Sequence, residues 1–259
     1  MHVRHPSAQE ATGQHFLRSK QLAAELVAEA GVSRGDLIVE IGGGTGVLTQ
    51  ALVKAGATIA VVERDHVLAA QLRARFRRLD TVVVTQGDAA EYEWPARTFS
   101  VVANLPFARS GVILSQLLKS PLTPLRRAHV IVQWEFAVKH ASVCPGTLRA
   151  TYWRAWYDVS IARRLAPIAF SPPPRVPAAV LCIERRGRPR VPVECHEAYW
   201  DFLSAAFASG KSIRGCLGRL SALEVKRLAP AVGFMPHARP RDLDATQWSR
   251  LFERAQVRR

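Results

Sequence analysis

Short apolar runs alternate with stretches of helical spacing through most of this chain, and that alternation predicts an α/β fold. A helix near Lys20 to Ala30 comes first. Strands are expected at Leu37–Ile41, Thr58–Glu63, Val82–Thr85, Val101–Asn104 and Val130–Trp134. Strands separated in this way by helical stretches pair in parallel. Two further β-like segments, Tyr152–Arg163 and Val176–Glu184, have only a proline-rich loop between them and can pair as an antiparallel hairpin that closes the sheet. The character then changes. Arg185 to Val193 is charged and linker-like, and helices are expected at Cys195–Ala208, Ser221–Ala229 and Asp244–Ala255. The expected division is therefore residues 1–186 for the sheet domain and 187–259 for a small helical domain, with no internal repeat.

Composition narrows the partner. Lys and Arg number 36 against 21 acids in 259 residues, a formal charge of +15, which makes nucleic acid the expected partner. Arg73, Arg75, Arg77 and Arg78 crowd one segment and Arg185, Arg186, Arg188 and Arg190 another, and guanidinium groups grip phosphates in bidentate fashion. With 48% hydrophobic residues the chain can bury a full α/β core and still carry a second domain. No run approaches the roughly 18 apolar residues of a membrane span. Met1–Gly13 is polar and lacks a signal-like apolar region, so a cytoplasmic protein is expected. Cys144, Cys182, Cys195 and Cys216 form no C-x-x-C pair, and His2 and His5 lie in the polar tail; neither a disulfide framework nor a metal site is expected.

The candidate chemistry sits at the ends of the predicted strands. Glu40-Ile41-Gly42-Gly43-Gly44-Thr45-Gly46 follows the first apolar run, where glycines let the backbone pass close to a ligand. The dinucleotide spacing G-x-G-x-x-G fails, because the sixth position is Val47 counted from Gly42 and Thr49 counted from Gly44. Glu63 closes the next strand, where a carboxylate can accept from both hydroxyls of a ribose. Gln86-Gly87-Asp88-Ala89 closes the third, where an acid can accept from the amino group of an adenine. Asn104-Leu105-Pro106-Phe107 closes the fourth. A side-chain carbonyl and a backbone carbonyl there can both accept from an exocyclic amine, while the aromatic ring offers a flat face. Taken singly, that tetrapeptide reads as a strand-ending turn and each acid as a solvated loop residue; the order of all of them at successive strand ends is what carries the reading. Gly210-Lys211-Ser212 is a false phosphate-loop match, since Ala205 stands where a glycine is needed, and Ser110 has no nucleophile elbow around it.

With these motifs in place the chain resembles the Rossmann-like methyltransferases that use S-adenosylmethionine, and within them the rRNA adenine N6-methyltransferases. Gly13-Gln14-His15-Phe16-Leu17 is similar to that family's Ser-Gln-Asn-Phe-Leu segment, and Phe170-Ser171-Pro172-Pro173-Pro174-Arg175-Val176 to its F-x-P-x-P-x-V loop. Gln133-Trp134-Glu135-Phe136-Ala137-Val138-Lys139 and the ending Gln247-Trp248-Ser249-Arg250-Leu251-Phe252 resemble the Erm branch, whose members methylate 23S rRNA and confer macrolide, lincosamide and streptogramin B resistance. The resemblance implies S-adenosylmethionine as cofactor, seated by Gln14, His15, Leu17, Gly42, Gly44, Glu63, Asp88, Ala89 and Asn104, with no metal. It implies Asn104, Leu105, Pro106 and Phe107 as the catalytic segment, Phe170 as a second flat face for a flipped adenine, and a monomer acting on 23S rRNA.

By the residues alone Phe170 reads equally as a core phenylalanine. His15 departs from the family's usual Asn, Pro177-Ala178 from its commoner Asp-Ser, and Phe107 is often Tyr in relatives. The alternatives are a small-subunit rRNA dimethyltransferase, a DNA adenine methyltransferase, which usually shows Asp-Pro-Pro-Tyr in place of Asn104–Phe107, and a non-catalytic RNA-binding protein.

Overall fold

The computed structural model describes residues 14–217, 221–235 and 237–256; His2, His5 and Gly13 lie outside the described residues. The described residues divide into two compact units, one made of those up to 119 with 123–137 and 160–184, the other of 120–122, 138–159 and those from 185 onward. Val138–Val159 thus joins the C-terminal helices in the second unit.

The sheet is built on β2 (Leu37–Ile41), β3 (Thr58–Glu63), β4 (Val82–Gln86), β5 (Phe99–Asn104), β6 (Leu125–Gln133), β7 (Tyr157–Leu165) and β9 (Ala178–Arg185), in the order β4-β3-β2-β5-β6-β9-β7. The pairs from β4 through β6 are parallel, and β9 runs antiparallel to β6 with Gln133 opposite Ala178 and Arg127 opposite Glu184. Ile38, Val39, Val61, Val101 and Val130 are all fully buried, as expected of central strands covered on both faces. A separate two-stranded sheet joins β1 (Phe16–Leu17) to β8 (Phe170–Ser171), with Leu17 opposite Phe170.

One helix precedes the first parallel strand and three return the chain between such strands, and local chemistry sets where they begin. In α1 (Lys20–Glu29) the Ser19 side chain accepts from the Leu22 amide at 3.1 Å, and in α3 (His66–Phe76) Asp65 accepts from Val67 and Leu68. The helix α2 (Val47–Lys54) instead starts from Gly46 at φ +76°, and α4 (Ser110–Leu117) follows one 3₁₀ turn after β5.

Two segments differ from the sequence expectation. Trp134 opens α5 (Trp134–Ala141) rather than closing a strand. Tyr152 and Trp153 end a helix, α6 (Leu148–Trp153), because the Thr147 hydroxyl caps its first turn while Ala150, Tyr152 and Trp153 are buried along it; β7 begins only at Tyr157. The second unit adds α7 (His196–Ala208), α8 (Ile213–Cys216), α9 (Ala222–Val232) and α10 (Ala245–Gln256). Its core is aromatic. Tyr152 lies 4.8 Å from Trp156 and Tyr199 lies 5.1 Å from Phe252, ring to ring, and Trp248 donates to the Pro240 carbonyl at 3.2 Å. Among the described residues no helix is long and apolar enough to cross a membrane.

The glycine turn after β2 is tight enough to make a prediction. A Cβ on Gly43 would stand 2.6 Å from Val61 Cγ1 and 2.7 Å from Leu72 Cδ1, whereas one on Gly87 would meet nothing within 4 Å. Gly43→Ala is expected to destabilise the fold by about 1–3 kcal/mol through overpacking, and Gly87→Ala to leave it within about 0.5 kcal/mol. Urea denaturation of both variants checks this; equal midpoints would contradict it.

Candidate active site

The sheet order reverses between β2 and β5, since β3 and β4 lie on one side and β6 on the other. Open α/β sheets bind ligands in the crevice beyond such a pair of strand ends. Gly42 and Asn104 meet there, close enough that a Cβ on Gly42 would lie 3.4 Å from the Asn104 carbonyl oxygen. Gly44 sits at φ +52° with the Phe16 ring 2.7 Å from where its Cβ would be, so only glycine fits.

Asn104 has a defined orientation. Its Nδ2 donates to the backbone carbonyl of His15 at 2.6 Å, and because a carbonyl can only accept, Oδ1 must face the other way. Oδ1 is buried with no hydrogen-bond partner. Most buried acceptors in native proteins are satisfied, so an orphan at a strand end marks a place where a donor is meant to arrive. Leu105 follows with its side chain buried and its amide bonded to the Ile131 carbonyl at 3.1 Å. Asn104, Leu105, Pro106 and Phe107 line a cleft together with Gln14, His15, Gly42, Gly44 and Glu63.

His15 does more than replace an Asn. Its Nδ1 donates to the Pro172 carbonyl at 2.8 Å, and its ring lies 5.4 Å from that of Phe107. Phe107 is half-buried, and Phe170 meets it edge-on at 6.3 Å. Phe170 itself is fully buried, packed with Leu17, Leu26, Ile131 and Leu165. In this structure the Phe170 ring is covered by that core and packs edge-on behind Phe107. Leu17 belongs to the same core cluster.

A neighbouring cavity of about 490 Å³ collects Gln14, Gly42, Glu63, Asp88, Ala89 and Pro106. That volume falls within the roughly 300–1,000 Å³ of small-molecule sites. The Glu63 carboxylate is held by two backbone amides, Gly44 onto Oε2 and Asp65 onto Oε1, each at 2.9 Å. Each oxygen keeps one acceptor direction for a ligand hydroxyl. Asp88 Oδ1 accepts from the Ala90 amide at 2.9 Å, while Oδ2 is paired with the Arg109 guanidinium at 2.7 Å. Arg109 lines the cavity too, yet nothing in its local sequence signals a contact with a residue 21 positions earlier.

Below the glycine turn Glu40 is fully buried, and burial, with the nearby Glu63 charge adding to it, pushes its pKa up to about 8, with Thr49 offsetting part of the rise. It is therefore protonated near neutral pH. The arginine clusters flagged in the sequence are partly engaged within the fold. Arg73 donates to the Val84 carbonyl and Arg75 to that of Thr45, while Arg77 and Arg78 are exposed. In the second unit Arg185 donates to the Pro121 carbonyl and the Tyr157 hydroxyl, Arg186 pairs with Asp158, and Arg190 donates to the Arg154 carbonyl and the Thr246 hydroxyl; Arg188 is exposed. Among the described residues no three His, Cys, Asp or Glu side chains are grouped to hold a metal ion.

Comparison with known proteins gives the family and the fold. The family model described as ribosomal RNA adenine dimethylase matches residues 6–256. An rRNA adenine N-6-methyltransferase from Corynebacterium diphtheriae is 31% identical, over 80% of this chain and 81% of its own. The ribosomal RNA small subunit methyltransferase A of Syntrophotalea carbinolica is also 31% identical, over 92% of this chain and 93% of its own. Among solved structures, the 23S rRNA methyltransferase ErmE superposes with a TM-score of 0.81 at 24% identity, covering 93% of this chain and 99% of that one, and shows the same α/β methyltransferase fold.

The raised Glu40 pKa has a consequence for stability. As pH rises from about 4.5 towards about 8 the unfolded chain releases this proton while the folded protein keeps it, so the folded state becomes progressively less favoured across that window. Glu40→Gln removes that contribution. The Tm of the free variant is expected to fall less than that of the wild type between about pH 5 and pH 8, and parallel curves would contradict the assignment.

Proposed function

Because the chain belongs to the ribosomal RNA adenine dimethylase family and is an rRNA adenine N6-methyltransferase, we propose that it methylates one adenine of 23S rRNA at N6, the Erm reaction that confers macrolide, lincosamide and streptogramin B resistance. The single observation that carries the chemistry is the unpartnered, oriented Oδ1 of Asn104 at the end of β5. An adenine amine is a poor nucleophile because its lone pair is delocalised into the ring. Asn104 Oδ1 and the Leu105 carbonyl, accepting its two hydrogens, favour the cationic character that grows on nitrogen as a bond forms there, and point the lone pair away from both acceptors. No general base is needed beforehand, since the protonated product amine is acidic enough to lose its proton to water. Phe107, half-buried at the cleft, offers a face to the base once it has left its stack in RNA.

The residues present fit S-adenosylmethionine. Glu63, locked by two amides with a free acceptor direction on each oxygen, suits a ribose diol, and Asp88 at the far side of the same cavity suits an amino purine. Gly42 and Gly44 leave room where any side chain would intrude. When bound there, the group supplies an electrophilic methyl on a sulfonium.

The choice of 23S rRNA is supported by the Gln133–Lys139 and Gln247–Phe252 segments, which resemble the Erm branch. A second reading, methylation of 16S rRNA during small-subunit assembly, is favoured by the length of the match to the small subunit methyltransferase A. In either, residues 1–186 form the catalytic segment, residues 187–259 a helical addition, and the enzyme acts as a cytoplasmic monomer.

Transfer of labelled methyl to protein-free 23S rRNA, 16S rRNA and immature small subunits, with the modified base mapped, decides between the targets. One labelled 23S adenine supports the Erm reading, and small-subunit labelling replaces it. Asn104→Ala is expected to lower kcat by about 100-fold or more while cofactor affinity largely survives; wild-type turnover would remove the acceptor role. Phe107→Ala is expected to lose about 10- to 100-fold in kcat/KM, the equivalent of roughly 1–3 kcal/mol of stacking, and Phe107→Tyr less than about threefold. Equal losses would mean that the ring does not stack.

A further inference from the structure

The Asp88–Arg109 pair is the one charged contact at this cavity that the proposed chemistry leaves without a task. Asp88 is held at both oxygens. The Ala90 amide fixes Oδ1 at 2.9 Å and the Arg109 guanidinium fixes Oδ2 at 2.7 Å, so the carboxylate plane cannot rotate without breaking one of them. Both side chains line the 490 Å³ cavity, and the Asp88 side chain is only 25% exposed. Arg109 is held from its own side as well: its backbone amide bonds the Pro106 carbonyl at 2.9 Å, within the 3₁₀ turn that follows Asn104. Its Nε is buried without a hydrogen-bond partner. A guanidinium placed this way is committed to Asp88 and donates through it.

We propose that Arg109 is a positioning residue: it pins the Asp88 carboxylate for the 6-amino group of the cofactor's purine, and so sets the preference for a 6-amino over a 6-oxo ring. This rests on reading the cavity as the S-adenosylmethionine site. The chemistry is one of donor and acceptor. A carboxylate only accepts, so it binds an exocyclic amine and repels a carbonyl at the same ring position. A guanidinium free to swing would donate to that carbonyl and erase the distinction. With its donor turned onto Oδ2, Arg109 withholds that alternative and gives the carboxylate a fixed aim.

Calorimetric titration of the full-length protein with S-adenosylhomocysteine and with S-inosylhomocysteine, which differ in the 6-substituent and in whether N1 accepts or donates, tests this. The wild type is expected to prefer the adenosyl ligand by about tenfold or more, the discrimination typical of a buried polar group left unpaired. Arg109→Met should weaken the adenosyl ligand about 5- to 20-fold and leave the inosyl ligand within about twofold or improve it, with Arg109→Lys, which keeps the charge but not the fork, in between. Adding Arg109→Met to Asp88→Asn should cost nothing further, because Arg109 acts through Asp88. Thermal melts of the variants show whether they fold.

Tighter adenosyl binding in Arg109→Met would overturn the proposal and make the pair a latch that the cofactor must displace. Equal weakening of both ligands, or no change in either, would also overturn it while leaving the cofactor reading intact. Failure of the wild type to bind either ligand would overturn the cofactor reading and the positioning role together.

Discussion

The 2.6 Å hydrogen bond from Asn104 Nδ2 to the His15 carbonyl governs what the crevice can do. A carboxamide can present either a donor or an acceptor, and it is this bond that leaves the oxygen as the unpaired end. Its two ends come from distant parts of the chain. Asn104 closes β5, which is fixed by parallel pairing to β6 with Asn104 opposite Ile131. His15 is brought over by the small sheet that joins Phe16 to Ser171, and its own ring holds the Pro172 carbonyl. The segment before the first helix and the proline-rich loop before β9 are thereby tied to the same Asn104 amide. An unpaired buried acceptor costs roughly 1–3 kcal/mol, so the fold keeps Oδ1 unsatisfied only because the surrounding contacts determine its direction. That cost is relieved when a donor binds, which is what preorganisation requires.

Three acids around the glycine turn show how the same functional group is set to different tasks by its neighbours. Glu40 has no access to water and its pKa is pushed up to about 8, so it serves as a neutral packing group under the turn. Glu63 is nearly as buried, but two backbone amides point at it, one on each oxygen, and hold its carboxylate in place. Asp88 is more exposed and has one amide and one guanidinium. The difference lies in the number and kind of donors that the strand ends supply.

The strands were legible because their signal is local. Leu37–Ile41 and Thr58–Glu63 appear at the expected bounds, each a run buried among other strands, and the glycine turn after Ile41 and the terminal Glu63 mark where the backbone leaves the sheet. Tyr152 and Trp153 misled because large aromatic residues suit a strand, while the cap that makes them helical is a single Thr147 hydroxyl several residues earlier. The β1–β8 pairing was out of reach: two residues carry no periodicity, and the partner lies more than a hundred positions away. Asn104, Leu105, Pro106 and Phe107 stand out by residue type at a strand end. The ion pair of Arg109 with Asp88 was not legible, because a lone arginine in an apolar segment shows nothing of what it reaches. Phe170 illustrates the converse, since a motif position names a residue without saying which way its ring turns.

The groups in the crevice cannot by themselves choose between two ribosomal RNAs. In the proposed reaction Asn104 Oδ1 and the Leu105 carbonyl accept from an amine and the Phe107 ring meets a flat face, and every flipped adenine offers both. Discrimination has to come from contacts to RNA outside the reacting base. Arginines engaged inside the fold contribute little to that. Arg185 and Arg190 have their donors on carbonyls and hydroxyls of their own unit, and Arg186 has an aspartate. Exposed arginines such as Arg77, Arg78, Arg164 and Arg175 remain available to phosphates, and such contacts position an RNA without reading its sequence. On the proposed reading, target choice would rest on RNA shape, with the backbone following the exposed charges while one unpaired adenine reaches the end of β5. Protein-free rRNA and an assembled particle present different shapes around the same base, which is why the form of the substrate carries as much information as its sequence.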